Sequence, residues 1–433
     1  DEMTPAQKTR LKTQLTEWMR TRPTLAAVAL ALALIVVVAG IAGVARLGGQ
    51  ASATGGTGQK GQTATSATRG ATPHATATSV VATGPRASWA PATPPPLLPG
   101  EALWSGVPSM LWGTNDTQNW DSQHNLITEP AIQQEVKADH LALIRTWLFQ
   151  IDLATNQPET DEYQQSKVQA ALNTGARLLC ELPTENTMPY DEHMVTLFKG
   201  KCSYYEFMNE PDYEQIPIAT YVSKWSSEIP RLRAIDPHAL FGGPAAAAPQ
   251  FNQCTYSATA PTVCYVQKVL LGMAQSHVLP DFVTFHWYPC WEDSADSCMK
   301  KADSYAEQVT MVRGWLTQYF GADGARIPIG LSEWNADPSA PMPDFTKDAC
   351  WLEQYSVTAI KSMARAGVAF ANQLDLANSG GYGSDDMVDI TKNGAAKPQY
   401  VALLRLMESV SPYGTLPTPP LAFAPPASCP GVP

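Results

Sequence analysis

Residues 204–211 read Tyr204-Tyr205-Glu206-Phe207-Met208-Asn209-Glu210-Pro211, an apolar run that ends in a polar tripeptide. A short run of this kind, closed by a proline that cannot continue a sheet, is typical of a buried β-strand. A second run, 327–332, ends in a similar way at Glu333-Trp334-Asn335. The two runs predict two buried strands, each followed at once by a glutamate.

Runs of the same type recur eight times beyond Trp104, and amphipathic stretches separate them. The predicted strands are 110–115, 141–147, 177–182, 204–208, 240–243, 282–287, 327–332 and 368–374. The predicted helices include 162–174, 221–235, 305–320, 349–366 and 398–409. Such alternation predicts parallel strands joined by helical crossovers, and eight strands favour a closed barrel over an open doubly wound sheet. The predicted fold class is therefore α/β, a (β/α)8 TIM barrel.

Glu210 and Glu333 hold special positions in this barrel. Chemistry in a β/α barrel lies at the carboxyl ends of the strands, where the loops form one mouth. Glu210 follows the fourth predicted strand and Glu333 the seventh, so both carboxylates can face each other across the mouth. Cleavage of a glycosidic bond needs two such groups, because one protonates the leaving oxygen and the other attacks or stabilises the sugar cation.

With these features the chain resembles the retaining glycosidases of the large β/α-barrel clan that includes cellulases, β-galactosidases, β-xylosidases and α-L-iduronidases. The resemblance covers residues 104–411. In that clan the acid/base follows an asparagine at the end of the fourth strand, and the nucleophile ends the seventh. The resemblance implies that Glu210 is the acid/base, that Glu333 is the nucleophile and that Asn209 bonds the sugar 2-hydroxyl.

Further segments are similar to the clan in the same order. Arg145 lies in a stretch, 143–147, that resembles the second-strand segment whose arginine orients the nucleophile. His286 and Tyr288 lie in a stretch, 285–289, that resembles the sixth-strand segment lining the sugar site. Two more matches are the fifth-strand stretch 242–245, as in the xylosidase and iduronidase branch, and the opening of the last helix at 397–400.

Several of these residues also have a structural interpretation. Arg145 can form a surface ion pair, although an unpaired charge inside an apolar run would be costly. His286 can be a core histidine with satisfied hydrogen bonds. Glu206 is expected to face another side or a buried partner. Glu181 and Asp375 can each bind a sugar hydroxyl or form a structural ion pair.

Aromatic side chains near the strand ends are the other substrate-binding candidates, because sugar rings expose apolar C–H faces that stack on them. Since tryptophan also packs cores, some of these residues are expected to be structural. The candidates are Trp147, Trp287, Trp291 and Trp334. Where the clan often ends its eighth strand with a tryptophan, residues 371–375 read Ala-Asn-Gln-Leu-Asp. No particular sugar is therefore predicted.

The N-terminal part predicts a membrane anchor. Residues 24–46 include an uncharged run long enough to cross a bilayer as a helix, and five Lys or Arg residues precede it. The positive-inside rule then places residues 1–23 in the cytoplasm and the remainder outside the cell. The alternative is a cleaved signal peptide and secretion, because residues 51–53 read Ala-Ser-Ala.

Residues 47–97 are rich in Gly, Ala, Ser, Thr and Pro and contain no acidic residue. They cannot bury a core and are predicted to form a disordered linker. Residues 98–433 then form the glycosidase barrel and a Pro-rich tail.

Eight cysteines, all beyond the membrane segment, fit an oxidising compartment. Their spacing suggests two local disulfides, Cys254 with Cys264 and Cys290 with Cys298. The other pairings expected are Cys180 with Cys202, between neighbouring strands, and Cys350 with Cys429, at the tail. No Cys/His metal spacing occurs, so neither a metal nor a cofactor is predicted.

Charge excludes one class of function. The net charge of −11 comprises +3 from residues 1–46, +3 from residues 47–97 and −17 from residues 98–433. A domain with this much negative charge repels nucleic acid. The expected partners are an oligo- or polysaccharide and, through the N-terminal helix, a membrane. The alternatives are a transglycosylase on the same site, a catalytically idle glycan-binding surface protein and a structural surface protein.

Overall fold

The computed structural model of the protein describes residues 85–116, 126, 128–152, 156–248, 264–290, 293–337, 343–377, 386–389, 394–417 and 419. Eight parallel strands close into a barrel in which each strand pairs with its neighbours in the chain and the last pairs with the first. These strands are β1 Gly113–Asn115, β2 Leu143–Trp147, β3 Arg177–Leu182, β4 Tyr204–Phe207, β5 Leu240–Ala246, β6 Phe282–Trp287, β7 Ile329–Trp334 and β8 Phe370–Gln373. The predicted closed barrel is confirmed.

Helices surround the barrel. Those in the described residues are α1 Pro130–Ala138, α2 Asp161–Asn173, α3 Met188–Leu197, α4 Ile218–Ile235, α5 Tyr265–Ser276, α6 Ala295–Lys301, α7 Tyr305–Phe320, α8 Ala349–Ala366 and α9 Pro398–Glu408. All five helices predicted from the sequence are present, with α7 and α8 at the predicted bounds. Local signals explain the bounds of α8. The Asp348 side chain caps its first turn, and Gly367 ends it at a φ of +77°, a left-handed conformation that suits glycine.

The predicted and observed strand bounds agree at β3 and β6 and differ at the other six strands, most at β1 and β5. β1 begins at Gly113 instead of residue 110, because Ser109–Leu111 forms a single 3-10 turn. β5 extends to Ala246, three residues beyond its predicted end. Both differences leave the carboxyl ends of the strands on the same face of the barrel.

Inward-facing side chains form two layers in the barrel. Near the amino ends of the strands an apolar layer contains Leu143, Leu179, Tyr204, Phe282 and Phe370. Small residues make room for the rings, since a Cβ at Gly330 would collide with Phe370. Because side chains alternate along a strand, the residue two positions beyond Leu143 also points inward. That residue is Arg145, so the upper layer is charged.

Residues 85–97, which the sequence places in the linker, pack against the barrel. Trp89 lies edge-on to Trp112 with ring centroids 6.4 Å apart, and the Ala87 N–H donates to Ser105 O at 2.9 Å. The linker boundary at residue 97 is therefore too late. The predicted membrane helix at residues 24–46 lies outside the described residues, among which no helix is long and apolar enough to span a bilayer.

The structure contains two of the expected disulfides, Cys180 with Cys202 and Cys290 with Cys298. Cys264 and Cys350 are also disulfide-bonded. The partners predicted for them, Cys254 and Cys429, lie outside the described residues.

Candidate active site

Arg145 is the centre of the charged layer. The side chain, 0% exposed, extends from β2 and meets three carboxylates from three other strands. Its Nη2 lies 2.5 Å from Glu181 Oε2, its Nε lies 2.6 Å from Glu206 Oε2 and its Nη1 lies 2.7 Å from Glu333 Oε1. Burial alone would lower the pKa of Arg145, but the three carboxylates hold it above its ordinary value. Arg145 is therefore a fixed buried cation and not a surface ion-pair residue.

Glu206, one of the other carboxylates noted in the sequence, faces a buried partner, Arg145. Glu181 forms a structural ion pair, because it is fully buried against Arg145. Burial raises the pKa of Glu181 well above its ordinary value, and the charge of Arg145 only partly opposes this. Both residues support the site from below and lie away from its opening.

Two asparagines complete the surroundings of Arg145. Asn115, the last residue of β1, accepts from Nη1 at 3.1 Å, and Asn209 accepts from Nη2 at 2.8 Å. The Asn115 amide also donates to Ser332 O at 3.0 Å, directly before Glu333. Sequence reasoning missed Asn115, although its place at the end of a strand was a signal. The Asn209 carbonyl is turned to Arg145, so its amide N–H groups are the donors left for another partner.

Glu333, at the end of β7, accepts hydrogen bonds on both oxygens. Oε1 faces Arg145, and Oε2 accepts from the Tyr288 hydroxyl at 2.8 Å. The residue is 7% exposed. Hydrogen bonds from a guanidinium and a hydroxyl stabilise an ionised carboxylate. Tyr288 and Arg145 thus both contact the Glu333 carboxylate directly.

Glu210 has a different environment. Its backbone, at a φ of +39°, is tied to β5 by a hydrogen bond from Glu210 N to Ala245 O at 2.9 Å. Its Oε1 lies 2.8 Å from His286 Nδ1, and its side chain is 23% exposed. Burial raises the pKa of Glu210 to about 7, while the charge of Arg145 opposes the rise. Near neutral pH this carboxyl can therefore hold a proton and still meet a ligand.

His286 links the two glutamates. Its Nδ1 lies 2.8 Å from Glu210 Oε1 and 3.4 Å from Glu333 Oε2. Burial lowers the pKa of His286, so the ring is neutral at neutral pH. One oxygen of each glutamate and a nitrogen of His286 all lie within 4.8 Å of one another. Three donors at this spacing can ligate a metal ion, and the two carboxylates are close enough to act on the same substrate bond.

The tryptophans predicted to bind sugar have different surroundings. Trp147 faces the barrel interior, with Arg145 Cζ 5.5 Å from its ring centroid. Trp287 is partly buried, and its indole N–H donates to Ser304 Oγ at 2.9 Å, which ties it to the start of α7. Trp291 lies outside the described residues.

The prediction for Trp334 is wrong. Its side chain is 1% exposed and packs edge-on against Tyr305 of α7 at 6.1 Å. Since neighbouring residues of a strand face opposite ways, the inward direction of Glu333 sends Trp334 outward into the helical layer. Trp334 is a core residue.

Asp375, another carboxylate noted in the sequence, is buried beyond the end of β8. Burial raises its pKa well above the ordinary value, and the nearby Asp386 carboxyl adds to the rise. Lys397 Nζ lies 3.2 Å from Asp386 Oδ2. Asp375 therefore belongs to a buried cluster of polar side chains, with Asp386 and Lys397, at the edge of the barrel.

Comparison with known proteins gives a likeness in structure only. No protein-family model and no curated protein matches the sequence. A family 51 α-L-arabinofuranosidase from Bifidobacterium longum matches with a TM-score of 0.50 and 13% identity, over 69% of this chain and 72% of that one. A GH39 β-xylosidase from Caulobacter crescentus matches with a TM-score of 0.50 and 14% identity, over 69% and 70%.

A glucosidase from Croceicoccus marinus gives a TM-score of 0.46 and 17% identity over 61% of this chain, which spans 60% of the length of that enzyme. The structural neighbours are thus glycoside hydrolases. At these identities the likeness concerns the barrel fold.

Proposed function

We propose that this protein is a retaining glycoside hydrolase that cleaves O-glycosidic bonds of a glycan by double displacement. The observation that carries the proposal is the pair Glu210 and Glu333, with oxygens no more than 4.8 Å apart in unlike environments. Glu210 has a pKa raised to about 7 by burial, and Glu333 accepts from Arg145 and Tyr288. One group suited to donating a proton and one suited to staying ionised are the division of roles that the reaction needs.

In the first step the Glu333 carboxylate attacks the anomeric carbon while Glu210 gives its proton to the departing oxygen. The bond to the leaving group breaks, and a covalent glycosyl-enzyme forms on Glu333. In the second step Glu210, now ionised, takes a proton from water, and the resulting hydroxide displaces Glu333. His286 holds Glu210 in place for both transfers. The Asn209 amide is suited to the sugar 2-hydroxyl, since Arg145 occupies its carbonyl.

The substrate class that fits best is a neutral oligo- or polysaccharide. Residues 98–433 carry a charge of −17, which opposes polyanionic glycans, and the one cation that the described residues place at the site, Arg145, is fully buried. We further propose that residues 24–46 anchor the enzyme in the cell membrane, with the barrel outside the cell. This localisation rests on sequence alone.

The test is release of reducing sugar from a broad glycan panel by the full-length chain. We expect Glu210→Gln to lower the rate by about 10²- to 10⁴-fold, the usual contribution of general acid catalysis, and Glu333→Gln to abolish release. Glu162→Gln, on the exposed face of α2, is the matched control and should act as wild type. Proton NMR of the first product should show the anomeric configuration of the substrate.

Other results would change the assignment. Equal release by wild type and both active-site variants would show that Glu210 and Glu333 are not the catalytic residues. Glycan binding without release would favour a binding protein, and transfer to an added sugar in preference to water would favour a transglycosylase.

A further inference from the structure

The segment that carries Glu210 lies beyond the regular part of the sheet. The pairing of β4 with β5 ends at Glu206 and Gly242, whereas β5 itself continues to Ala246. The position of Glu210 therefore depends on contacts that the strand ladder does not supply. A general acid must lie within hydrogen-bond reach of the oxygen that it protonates, so these contacts bear on the reaction.

A bulge in β5 supplies the first contact. The register between β5 and β6 shifts between Pro244 and Ala246, which leaves Ala245 as the extra residue. Ala245 has a φ of +48°, and its carbonyl accepts from Glu210 N at 2.9 Å. A bulge bends its strand locally and is common beside active sites. Here it brings the carbonyl of the extra residue to the backbone of the acid/base.

Asp212 supplies the second contact. Its Oδ1 accepts from Ala247 N at 2.8 Å, and the residue is 4% exposed. The two contacts lie two residues apart on each segment, at Glu210 and Asp212 on one side and at Ala245 and Ala247 on the other. The Asp212 carboxylate thus takes the part of a backbone acceptor and holds the segment after β4 along the end of β5.

The neighbouring strand β6 fixes both the bulge and the acid group. Thr284 Oγ1 accepts from Ala245 N at 3.3 Å. Two residues later His286 Nδ1 lies 2.8 Å from Glu210 Oε1. A shift of the Glu210 backbone along β5 would therefore move its carboxyl away from His286 while the barrel stays intact. Misplacement of a catalytic group by about 1 Å can lower a rate about 10²-fold.

We propose that Asp212 is a positioning residue for the general acid, because its hydrogen bond to β5 holds the Glu210 carboxyl at His286 and at the leaving oxygen of the substrate. Asp212 acts through Glu210 and does not itself touch the substrate. This inference rests on the proposed hydrolase activity and adds to it which residue keeps the acid in place.

The test separates proton donation from nucleophilic attack in the full-length protein. One substrate is the disaccharide that the glycan panel shows to be cleaved fastest, and the other is the glycosyl fluoride of its non-reducing sugar. Asp212→Ala should lower kcat/KM for the disaccharide about tenfold or more, since the acid is misplaced. It should leave kcat/KM for the fluoride within about twofold of wild type, because fluoride leaves without a proton and Glu333 keeps its contacts with Arg145 and Tyr288.

Two further variants make the result specific. Asp212→Asn keeps an acceptor for Ala247 N and should restore kcat/KM for the disaccharide to within about threefold of wild type. Asp236→Ala is the matched control, since Asp236 is also buried and accepts from backbone N–H groups of Gly200 and His238, at 2.9 and 3.2 Å. It lies before β5, at the face away from the mouth, so its loss should not change the ratio of kcat/KM between the two substrates.

Equal losses of Asp212→Ala on the disaccharide and the fluoride would mean that Asp212 supports the fold as a whole, and would overturn the positioning role. No loss on the disaccharide, or an Asn variant as impaired as the Ala variant, would show that the hydrogen bond to Ala247 does not hold the acid. A wild type that acts on neither the panel nor the fluorides would instead remove the hydrolase activity, and the role of Asp212 with it.

Discussion

At the scale of single residues, Glu210 and Glu333 are the same side chain in opposite surroundings. Glu333 receives two donors, Arg145 and Tyr288. Glu210 is contacted on Oε1 by His286, a ring that burial keeps neutral. The two carboxyls therefore differ in environment and not in residue type, since burial raises the pKa of Glu210 to about 7 and Glu333 accepts hydrogen bonds on both oxygens.

This difference predicts the pH dependence. The raised pKa of Glu210, about 7, means that its acid form is present below pH 7 and is lost as the pH rises through that value. We expect kcat/KM on a disaccharide to fall tenfold per pH unit above an apparent pKa near 7, which a pH profile measures. A glycosyl fluoride needs no acid to leave, so its profile should lack this limb. An identical limb with the fluoride would assign the titration to another group.

Thr184 is a positioning residue that no sequence pattern indicated. Its hydroxyl accepts from Asn209 N at 3.0 Å and donates to Asn209 O at 2.6 Å, so it continues the pairing of β3 and β4 past the end of the strands. The residues on either side of Asn209, Met208 and Glu210, have φ values of +66° and +39°. Such conformations are unfavourable for non-glycine residues and persist only where the surroundings hold them.

We therefore expect Thr184→Val, which keeps the shape and removes the hydroxyl, to lower kcat about tenfold or more. The physical reason is that two backbone groups lose their partner, at a cost of about 1–3 kcal/mol where they remain buried. Thr184→Ser keeps the hydroxyl and serves as control. Steady-state kinetics with a parallel thermal melt checks the outcome, and a Val variant with wild-type kcat would show that the clamp is dispensable.

At the scale of elements, strand periodicity explains both what the sequence predicted and what it did not. Apolar runs located all eight strands, because barrel strands are buried on both faces. The same burial hides the direction of each side chain, since inward and outward residues are equally apolar. Glu333 and Trp334 are neighbours, and only the closed barrel shows that the first faces the site and the second the helices. Contacts between strands far apart in the chain, such as that of the Asn115 amide with Ser332 O, leave no local signal.

The two described disulfides differ in the elements that they join. Cys290 and Cys298 connect the end of β6 to α6, two residues past Tyr288, and Cys290 N also donates to Ala336 O at 3.1 Å. Cys180 and Cys202 instead join β3 to the segment before β4. Chain-entropy arguments give about 2.5 kcal/mol for a loop of 8 residues and about 3.4 kcal/mol for one of 22.

Replacing both cysteines of a pair by alanine should therefore affect KM and Tm differently for the two disulfides. We expect the Cys290/Cys298 double variant to raise KM several-fold with the smaller loss of Tm, because it loosens the loop that holds Tyr288 on Glu333. The Cys180/Cys202 variant should lose more Tm and keep its KM. Steady-state kinetics and calorimetry on both variants make the comparison. Equal effects on KM would show that the loop carrying Cys290 does not contribute to substrate binding.

At the scale of the whole molecule, the chain enters the barrel at the face opposite the mouth. Leu98 belongs to the apolar layer at the amino ends of the strands, and the Tyr204 hydroxyl, at the start of β4, donates to Pro99 O at 2.8 Å. Glu210 and Glu333 lie at the carboxyl ends. If residues 24–46 form the predicted anchor, the linker joins the barrel behind the site, and the mouth is free to face away from the membrane.

Shortening the linker in the full-length, membrane-inserted chain tests this arrangement. Deleting residues 51–70 reduces the linker before residue 85 from 38 residues to 18, and its expected span as a flexible coil from about 35 Å to about 24 Å. Because the chain enters the barrel at the face opposite the mouth, kcat/KM for a soluble oligosaccharide should stay within about twofold of wild type. A steep loss on shortening, recovered when a Gly/Ser linker of the original length replaces it, would mean that the mouth faces the membrane and needs the linker's reach.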